Sequence, residues 1–140
     1  MTLTRIDIEL TEQQLRKSLV ADAARGLLAP AKILPPKYFY DQRGSELFEH
    51  ITRLPEYYPT RVERRILSRY ADRIVEKIPT LTSLVELGSG SSSKTPLLLD
   101  AMLRLSTQVS YVPVDVSLHA LAGAVGTLRE SYPVLPIHGV

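Results

Sequence analysis

The chain has 140 residues, of which 44% are hydrophobic, so it can bury one core and is not an intrinsically disordered segment. Its 17 basic and 15 acidic residues leave a net charge of +2, which is too small to indicate a nucleic-acid-binding protein. It contains no cysteine, which excludes disulfides, thiolate zinc sites and a cysteine nucleophile.

The N-terminal sequence "MTLTRIDIEL" lacks the cationic start and continuous apolar block of a secretion signal. No run of 18 apolar residues follows, so we expect a soluble, cytoplasmic protein without membrane contact. Between Thr11 and Leu28 the apolar residues recur at helical spacing, and Pro30 lies just beyond. This pattern predicts a first helix.

The segment "ILPPKYFYDQRGSELFEHITRLPEYYPT" is rich in aromatic residues and proline. Neither Pro35 nor Pro36 can donate a backbone hydrogen bond, so we expect the segment to begin as an ordered loop or lid. A short amphipathic stretch with Leu47, Phe48 and Ile51 follows.

A further helix is predicted after residue 59. Thr60 and Glu63 match the T-x-x-E pattern of a capping box, and Pro79 would stop the helix. Its expected buried stripe consists of Val62, Ile66, Leu67, Tyr70, Ile74, Val75 and Ile78.

Acidic residues lie between the arginines of this helix, which favours a solvated helix face over a nucleic-acid surface. These arginines are Arg61, Arg64, Arg65, Arg69 and Arg73.

The remaining sequence alternates between strand and helix patterns. "SLVEL", "VSYVPVDV" and "VLPIHGV" read as buried strands, Pro96 suits the first turn of the helix between the first two, and Ser117 can cap the next helix. This order predicts an α/β fold whose strands pair in parallel through right-handed crossovers. Because such sheets normally have more strands and Val140 falls at the third, we expect a fragment, or a subunit completed elsewhere.

The turn in "LVELGSGSSSKTPLLLDAM" follows the first of these strands, where open parallel sheets bind ligands. Gly88, Lys94 and Thr95 match three positions of a P-loop, but Ser93 replaces its second glycine. The carboxylate of Glu86, just before the turn, would also oppose a polyphosphate. A nucleotide triphosphate is therefore disfavoured.

A dinucleotide is also disfavoured, since Ser93 stands where G-x-G-x-x-G needs its third glycine. A ligand with an adenosine, a cationic centre and no phosphates needs neither missing glycine and tolerates the acid. Asp115 ends the second strand, where a carboxylate can accept hydrogen bonds from ribose hydroxyls. S-adenosylmethionine fits this description.

Three blocks carry a more specific resemblance: "LPPKYFYDQRGSELFEHITRLPEYYPTRVERRIL", "LVELGSGSSSKTPLLLDAM" and "YVPVDVS". From about Leu34 onward the chain resembles the histidine-specific N-methyltransferases of ergothioneine biosynthesis, which are considerably longer proteins. The resemblance implies a Rossmann-like class I methyltransferase sheet, of which residues 81–140 supply the first strands. Residues 1–80 would form an N-terminal helical region that contributes to the substrate pocket.

Family members transfer methyl groups from S-adenosylmethionine to the α-amino nitrogen of L-histidine, giving the trimethyl betaine hercynine. The resemblance implies that the turn with Gly88, Gly90 and Lys94 binds the methionine end of the cofactor, and that Asp115 binds its ribose. No metal or covalent nucleophile is required, because methyl transfer from a sulfonium chiefly needs a positioned neutral amine.

Two tyrosines are implied to face the histidine substrate. They are Tyr40 of the Phe-Tyr-Asp block and, more strongly, Tyr57 of the Pro-Glu-Tyr-Tyr block. Tyrosine offers a rigid apolar face and one uncharged hydroxyl, which suits an imidazole or an ordered water. Two alternatives stay open: methylation of another amino acid such as a modified tryptophan, and a noncatalytic assembly module that retains the cofactor fold. Residues 1–140 alone are expected to have little or no activity.

Overall fold

The computed structural model describes residues 4–140, in which one parallel sheet is packed with helices. The strands are β1 (Thr4–Ile6), β2 (Ser83–Leu87), β3 (Ser110–Val114) and β4 (Ile137–Gly139). The α-helices are α1 (Glu12–Leu28), α2 (Gln42–Ile51), α3 (Pro59–Val75), α4 (Thr95–Leu105) and α5 (Leu118–Ser131). The helices predicted after residues 11 and 59, the three predicted strands and the two helices between them are all present. The predicted burial of β2 is wrong, because it lies at the edge of the sheet and its Val85 and Leu87 are 58% and 81% exposed. The predicted stripe of α3 is wrong too, because Val75 is its only buried member.

The sheet has the strand order β1-β4-β3-β2, and every pair is parallel. Leu87 lies opposite Val114 at the end of the β2–β3 pair. The sequence predicts a helical region without strands before residue 81, whereas Thr4–Ile6 form a strand that pairs with β4. Because parallel strands end on the same edge, the turns after β2 and β3 lie side by side.

The core lies between the sheet and helices α3, α4 and α5. Leu99 and Met102 of α4, Leu121 of α5, Tyr111 of β3 and Ile137 of β4 are almost fully buried. Burial of each large apolar side chain contributes about 1.5–3 kcal/mol relative to its exposed state. The core therefore fixes α4 and α5, whose N-termini meet the carboxyl edge of the sheet.

Side-chain caps start three of the helices. Thr11 and Gln14 form a reciprocal capping box at α1, Asp41 accepts from the Gly44 N–H at α2, and the predicted cap Ser117 accepts from the Ala120 N–H at α5.

The predicted capping box at α3 is wrong. The helix begins at Pro59, one residue before Thr60, and no side chain caps its N-terminus. Proline is favoured at this position because its fixed φ suits the first helical turn and its missing N–H would be unpaired anyway. The Glu63 side chain pairs instead with Lys94, outside the helix.

The segment after α1 is more regular than the sequence predicts, because Pro36–Phe39 form a short 3-10 helix rather than a loop. Asp22 of α1 anchors it: the Tyr38 hydroxyl donates to Asp22 at 2.7 Å, and Lys37 pairs with the same carboxylate at 3.1 Å. These two hydrogen bonds, Tyr38 first, lower the pKa of Asp22 from its ordinary value. The paired prolines thus lead directly into an anchored helical turn.

Candidate functional site

The turn between β2 and α4 has an unusual backbone. Gly88 and Gly90 have φ values of +68° and +52°, and nothing lies within 4 Å of where a Cβ would stand on either. Ser92 also has a positive φ, of 49°. Positive φ is readily adopted by glycine and costs other L-residues about 1–2 kcal/mol. The two glycines therefore leave open space beside an exposed backbone.

Hydrogen bonds hold this turn against the end of β3. The N–H groups of Gly88 and Ser89 both donate to the Val114 carbonyl, at 2.8 and 3.1 Å. The Gly90 N–H donates to Asp115 Oδ2 at 2.7 Å, and the Ser117 N–H donates to the other carboxylate oxygen at 2.8 Å. The structure thus brings Gly88, Gly90 and Asp115 to one edge of the sheet.

A polar network lies directly beneath the turn. The hydroxyls of Tyr111 and Thr95 donate to Glu86 Oε2 at 2.6 and 2.7 Å, and Ser92 Oγ lies 2.9 Å from the Tyr111 hydroxyl. Burial, aided by Glu86, raises the pKa of Tyr111 far above its ordinary value, so its hydroxyl stays protonated as a donor. The network ties the strained Ser92 backbone to both strands.

Sequence reasoning missed this network. It treated Glu86 as a charge that opposes phosphate, but the carboxylate also receives two hydroxyl donors from inside the fold. Tyr111 lies in the apolar run of β3, and a buried tyrosine hydroxyl usually has a hydrogen-bond partner. The acidic residue on the neighbouring predicted strand was therefore the available signal.

Lys94 stands at the N-cap position of α4 without capping the helix. Its ammonium pairs with Glu63 of α3, and the neighbouring Arg64 places Nη2 3.4 Å from Ser93 Oγ. The first turns of α3 therefore contact the glycine turn from outside the sheet. The sequence reading of a solvated arginine face missed this contact.

The two predicted substrate tyrosines flank α2, with Tyr40 before it and Tyr57 after it. Among residues 4–140, the contacts found for Tyr57 lie within its own segment. Tyr57 is half-buried and packs edge to face on Phe48, with 5.9 Å between ring centroids, whereas Tyr40 is 45% exposed. On α2, Ser45 donates to Ser117 at 3.1 Å, which links the helix carrying Phe48 to the loop after Asp115.

Arg61 fixes the turn that carries Tyr57. Its guanidinium donates to the carbonyls of Leu54 at 2.8 Å, of Tyr57 at 3.3 Å and of Pro55. A planar guanidinium with several donors suits this convergence of carbonyls, and a lysine could not reproduce it. The predicted role of Arg61 as a solvated surface residue is therefore incomplete.

The turn fits a ligand that approaches its backbone closely. Beside the open glycine positions, Ser89 is only 6% exposed and its buried hydroxyl has no hydrogen-bond partner within residues 4–140. Buried polar groups without partners are rare in proteins, and this one lies within the glycine turn. The described part of the chain holds no cluster of three or more metal-ligating side chains. None of its helices is both long and apolar enough to cross a membrane.

A parallel α/β sheet with a glycine turn and an acidic residue at its carboxyl edge is typical of proteins that bind a small cofactor there. The family described as histidine-specific methyltransferase, SAM-dependent, matches residues 19–140. This chain belongs to that family, whose cofactor is S-adenosylmethionine.

Individual relatives agree with this assignment. The histidine N-alpha-methyltransferase of Mycolicibacterium smegmatis is 46% identical over 124 residues, covering 89% of this chain and 38% of that protein. The ergothioneine biosynthesis protein 1 of Neurospora crassa is 36% identical over 107 residues, covering 76% of this chain and 12% of that protein. The 4-dimethylallyltryptophan N-methyltransferase of Claviceps purpurea is 32% identical over 123 residues, covering 88% of this chain and 35% of that protein. The chain thus spans 38% of the length of the mycobacterial relative.

Proposed function

We propose that this chain supplies the methyl-donor site and part of the substrate pocket of an enzyme that converts L-histidine to hercynine. Its sheet is then the first part of a Rossmann-like class I methyltransferase sheet. The observation that carries the proposal is the 2.7 Å hydrogen bond between the Gly90 N–H and Asp115, which joins the glycine turn and the acid at one edge. This arrangement, in a chain of this family, supports a donor bound across the ends of β2 and β3.

The donor's contacts follow from the chemistry of each residue. Asp115 uses each carboxylate oxygen once, and a carboxylate has about four acceptor positions, so acceptor capacity is left for ribose hydroxyls. Gly88 and Gly90 let the methionine part approach the backbone, and Lys94 provides a positive charge for its carboxylate. The orphan hydroxyl of Ser89 lies within the same turn.

In the proposed enzyme, Tyr57 and Tyr40 face the histidine substrate. Arg61 and Phe48 hold Tyr57, so its ring is positioned before substrate binds. The link from Ser45 to Ser117 keeps this aromatic segment beside the donor-binding loop. Preorganisation of this kind reduces the ordering cost of bringing an amine to the donor.

The bound donor supplies an electrophilic methyl group on a sulfonium. Each of three transfers would join the methyl carbon to the α-amino nitrogen as the carbon–sulfur bond breaks, with the electron pair kept by the sulfur. The nitrogen would have to lose a proton before each transfer, including the first, so that a lone pair is available. The residues of this chain bind the methyl donor, orient the substrate amine and exclude water. The reaction requires no covalent nucleophile.

Binding of the donor's demethylated product, S-adenosylhomocysteine, tests the cofactor site. In ¹⁵N-labelled residues 1–140, we expect the amide signals of Gly88 and Gly90 to shift on titration, and Asp115→Asn to weaken binding at least tenfold. The matched variant Asp41→Asn changes a carboxylate that accepts the Gly44 N–H rather than an N–H of the glycine turn, and it should bind like the parent. Unchanged binding by the Asp115 variant would refute the ribose role.

Substrate identity needs a polypeptide of the relatives' length that contains this chain. Incubated with S-adenosylmethionine and L-histidine, it should add one, two and three methyl groups by mass spectrometry. The Claviceps relative favours a second candidate, N-methylation of a prenylated tryptophan, so 4-dimethylallyltryptophan is the competing substrate. Methylation of that substrate alone would overturn the histidine proposal, and binding without methylation of either would favour a noncatalytic module.

A further inference from the structure

Lys94 is not free in the structure. Its side chain is 27% exposed and its ammonium pairs with the carboxylate of Glu63, whose own side chain is 54% exposed. Glu63 belongs to α3, so this ion pair joins the N-terminal helical region to the glycine turn. The proposed function assigns the same ammonium to the carboxylate of the methyl donor.

Two carboxylates cannot share this ammonium without a cost. Lys94 carries one positive charge, so a ligand carboxylate beside it would meet the negative charge of Glu63 at close range. The adjacent Arg64 reaches Ser93 rather than Glu63, and thus leaves the ligand and Glu63 to compete for Lys94. Because Glu63 is more than half exposed and is not held as a helix cap, its side chain can turn into solvent.

We propose that Glu63 competes with the amino-acid carboxylate of the methyl donor for Lys94 and thereby weakens binding of both the donor and its demethylated product. This inference rests on the proposed function. Donor and product carry the same carboxylate, so the competition acts on both. Three successive transfers require the product to leave after each one, and Glu63 restores the pair with Lys94 as the product departs.

Two ligands separate this effect from a general change in the fold. S-adenosylhomocysteine carries the carboxylate, whereas 5′-methylthioadenosine has the same nucleoside and sulfur without the amino-acid part. With ¹⁵N-labelled residues 1–140, we expect Glu63→Gln to tighten binding of the first ligand about two- to fivefold, which is the size of an exposed ion pair. Binding of 5′-methylthioadenosine should not change, and the gain should shrink at high salt.

Matched variants complete the test. Glu76→Gln removes the same charge at the other end of α3, where Glu76 is exposed, and should leave both affinities unchanged. In a Lys94→Gln background, Glu63→Gln should no longer tighten S-adenosylhomocysteine binding, because the contested ammonium is gone.

Each remaining outcome has a distinct meaning. Weaker binding of S-adenosylhomocysteine by Glu63→Gln would show that Glu63 orients Lys94 for the ligand, and would overturn the competition. Equal changes for both ligands would also overturn it, since only one carries the carboxylate. Failure of a polypeptide of the relatives' length that contains this chain to bind either ligand would instead reject the proposed donor site, and this inference with it.

Discussion

Asp115 offers a sharp test of how the two turns are joined. Its two carboxylate oxygens each accept one backbone N–H, from Gly90 at 2.7 Å and from Ser117 at 2.8 Å. An asparagine has one acceptor oxygen, and its amide NH₂ would face the second N–H. Asp115→Asn therefore loses one hydrogen bond to a charged group and leaves a donor unpaired, which costs about 2 kcal/mol of unfolding free energy.

Urea denaturation of residues 1–140 measures this cost. With a urea dependence of about 2 kcal/mol per molar, the loss lowers the unfolding midpoint by about 1 M. Asp41→Asn is the matched control, because Asp41 accepts the Gly44 N–H with one oxygen and asparagine caps helices equally well. Its midpoint should stay within about 0.25 M of the parent, on the ±0.5 kcal/mol scale of benign surface changes. If both variants lose equally, or neither does, the two-acceptor argument is wrong.

Three further predictions concern the network, the aromatic segment and the turn. Burial and Glu86 raise the pKa of Tyr111 in the folded state. The stability contributed by its protonated hydroxyl is therefore fully present below about pH 10 and is lost as the pH rises further. Tyr111→Phe should therefore lower stability at pH 7 and show a smaller further loss on going from pH 9 to pH 11 in urea melts. Arg61→Lys should speed chymotrypsin cleavage after Tyr57 severalfold by mass spectrometry, because the lysine cannot hold the same carbonyls. Gly90→Ala should lower the free energy of unfolding measured in urea by about 1 kcal/mol, because residue 90 has a positive φ. No steric clash is expected.

Regular patterning was enough to predict most elements and the position of the site. The short apolar runs of β2 and β3, Pro96 in the first turn of α4 and the cap at Ser117 are local signals, and each element or cap is found where it is predicted. Strand ends in a parallel sheet share one edge, so the proximity of the turn at Gly90 to Asp115 followed from topology.

Features that depend on distant partners could not be predicted in this way. β1 is only three residues long and is stabilised by β4, which lies at the far end of the sequence. Glu63 matched a capping motif, but the cationic Lys94 on another helix offers its carboxylate a stronger partner than a backbone N–H. Tyr40 and Tyr57 were assigned through resemblance, and their substrate roles stay predictions.

The pairing of Thr4 with Ile137 also constrains how the molecule is made. Protein chains leave the ribosome at about 5–20 residues per second, so the first strand emerges many seconds before the strand that receives it. During that interval β2, β3 and the helices around them can assemble, while the N-terminal strand has no neighbour. This position beside β4 is therefore filled late in biosynthesis, although Thr4–Ile6 are translated well before Ile137–Gly139.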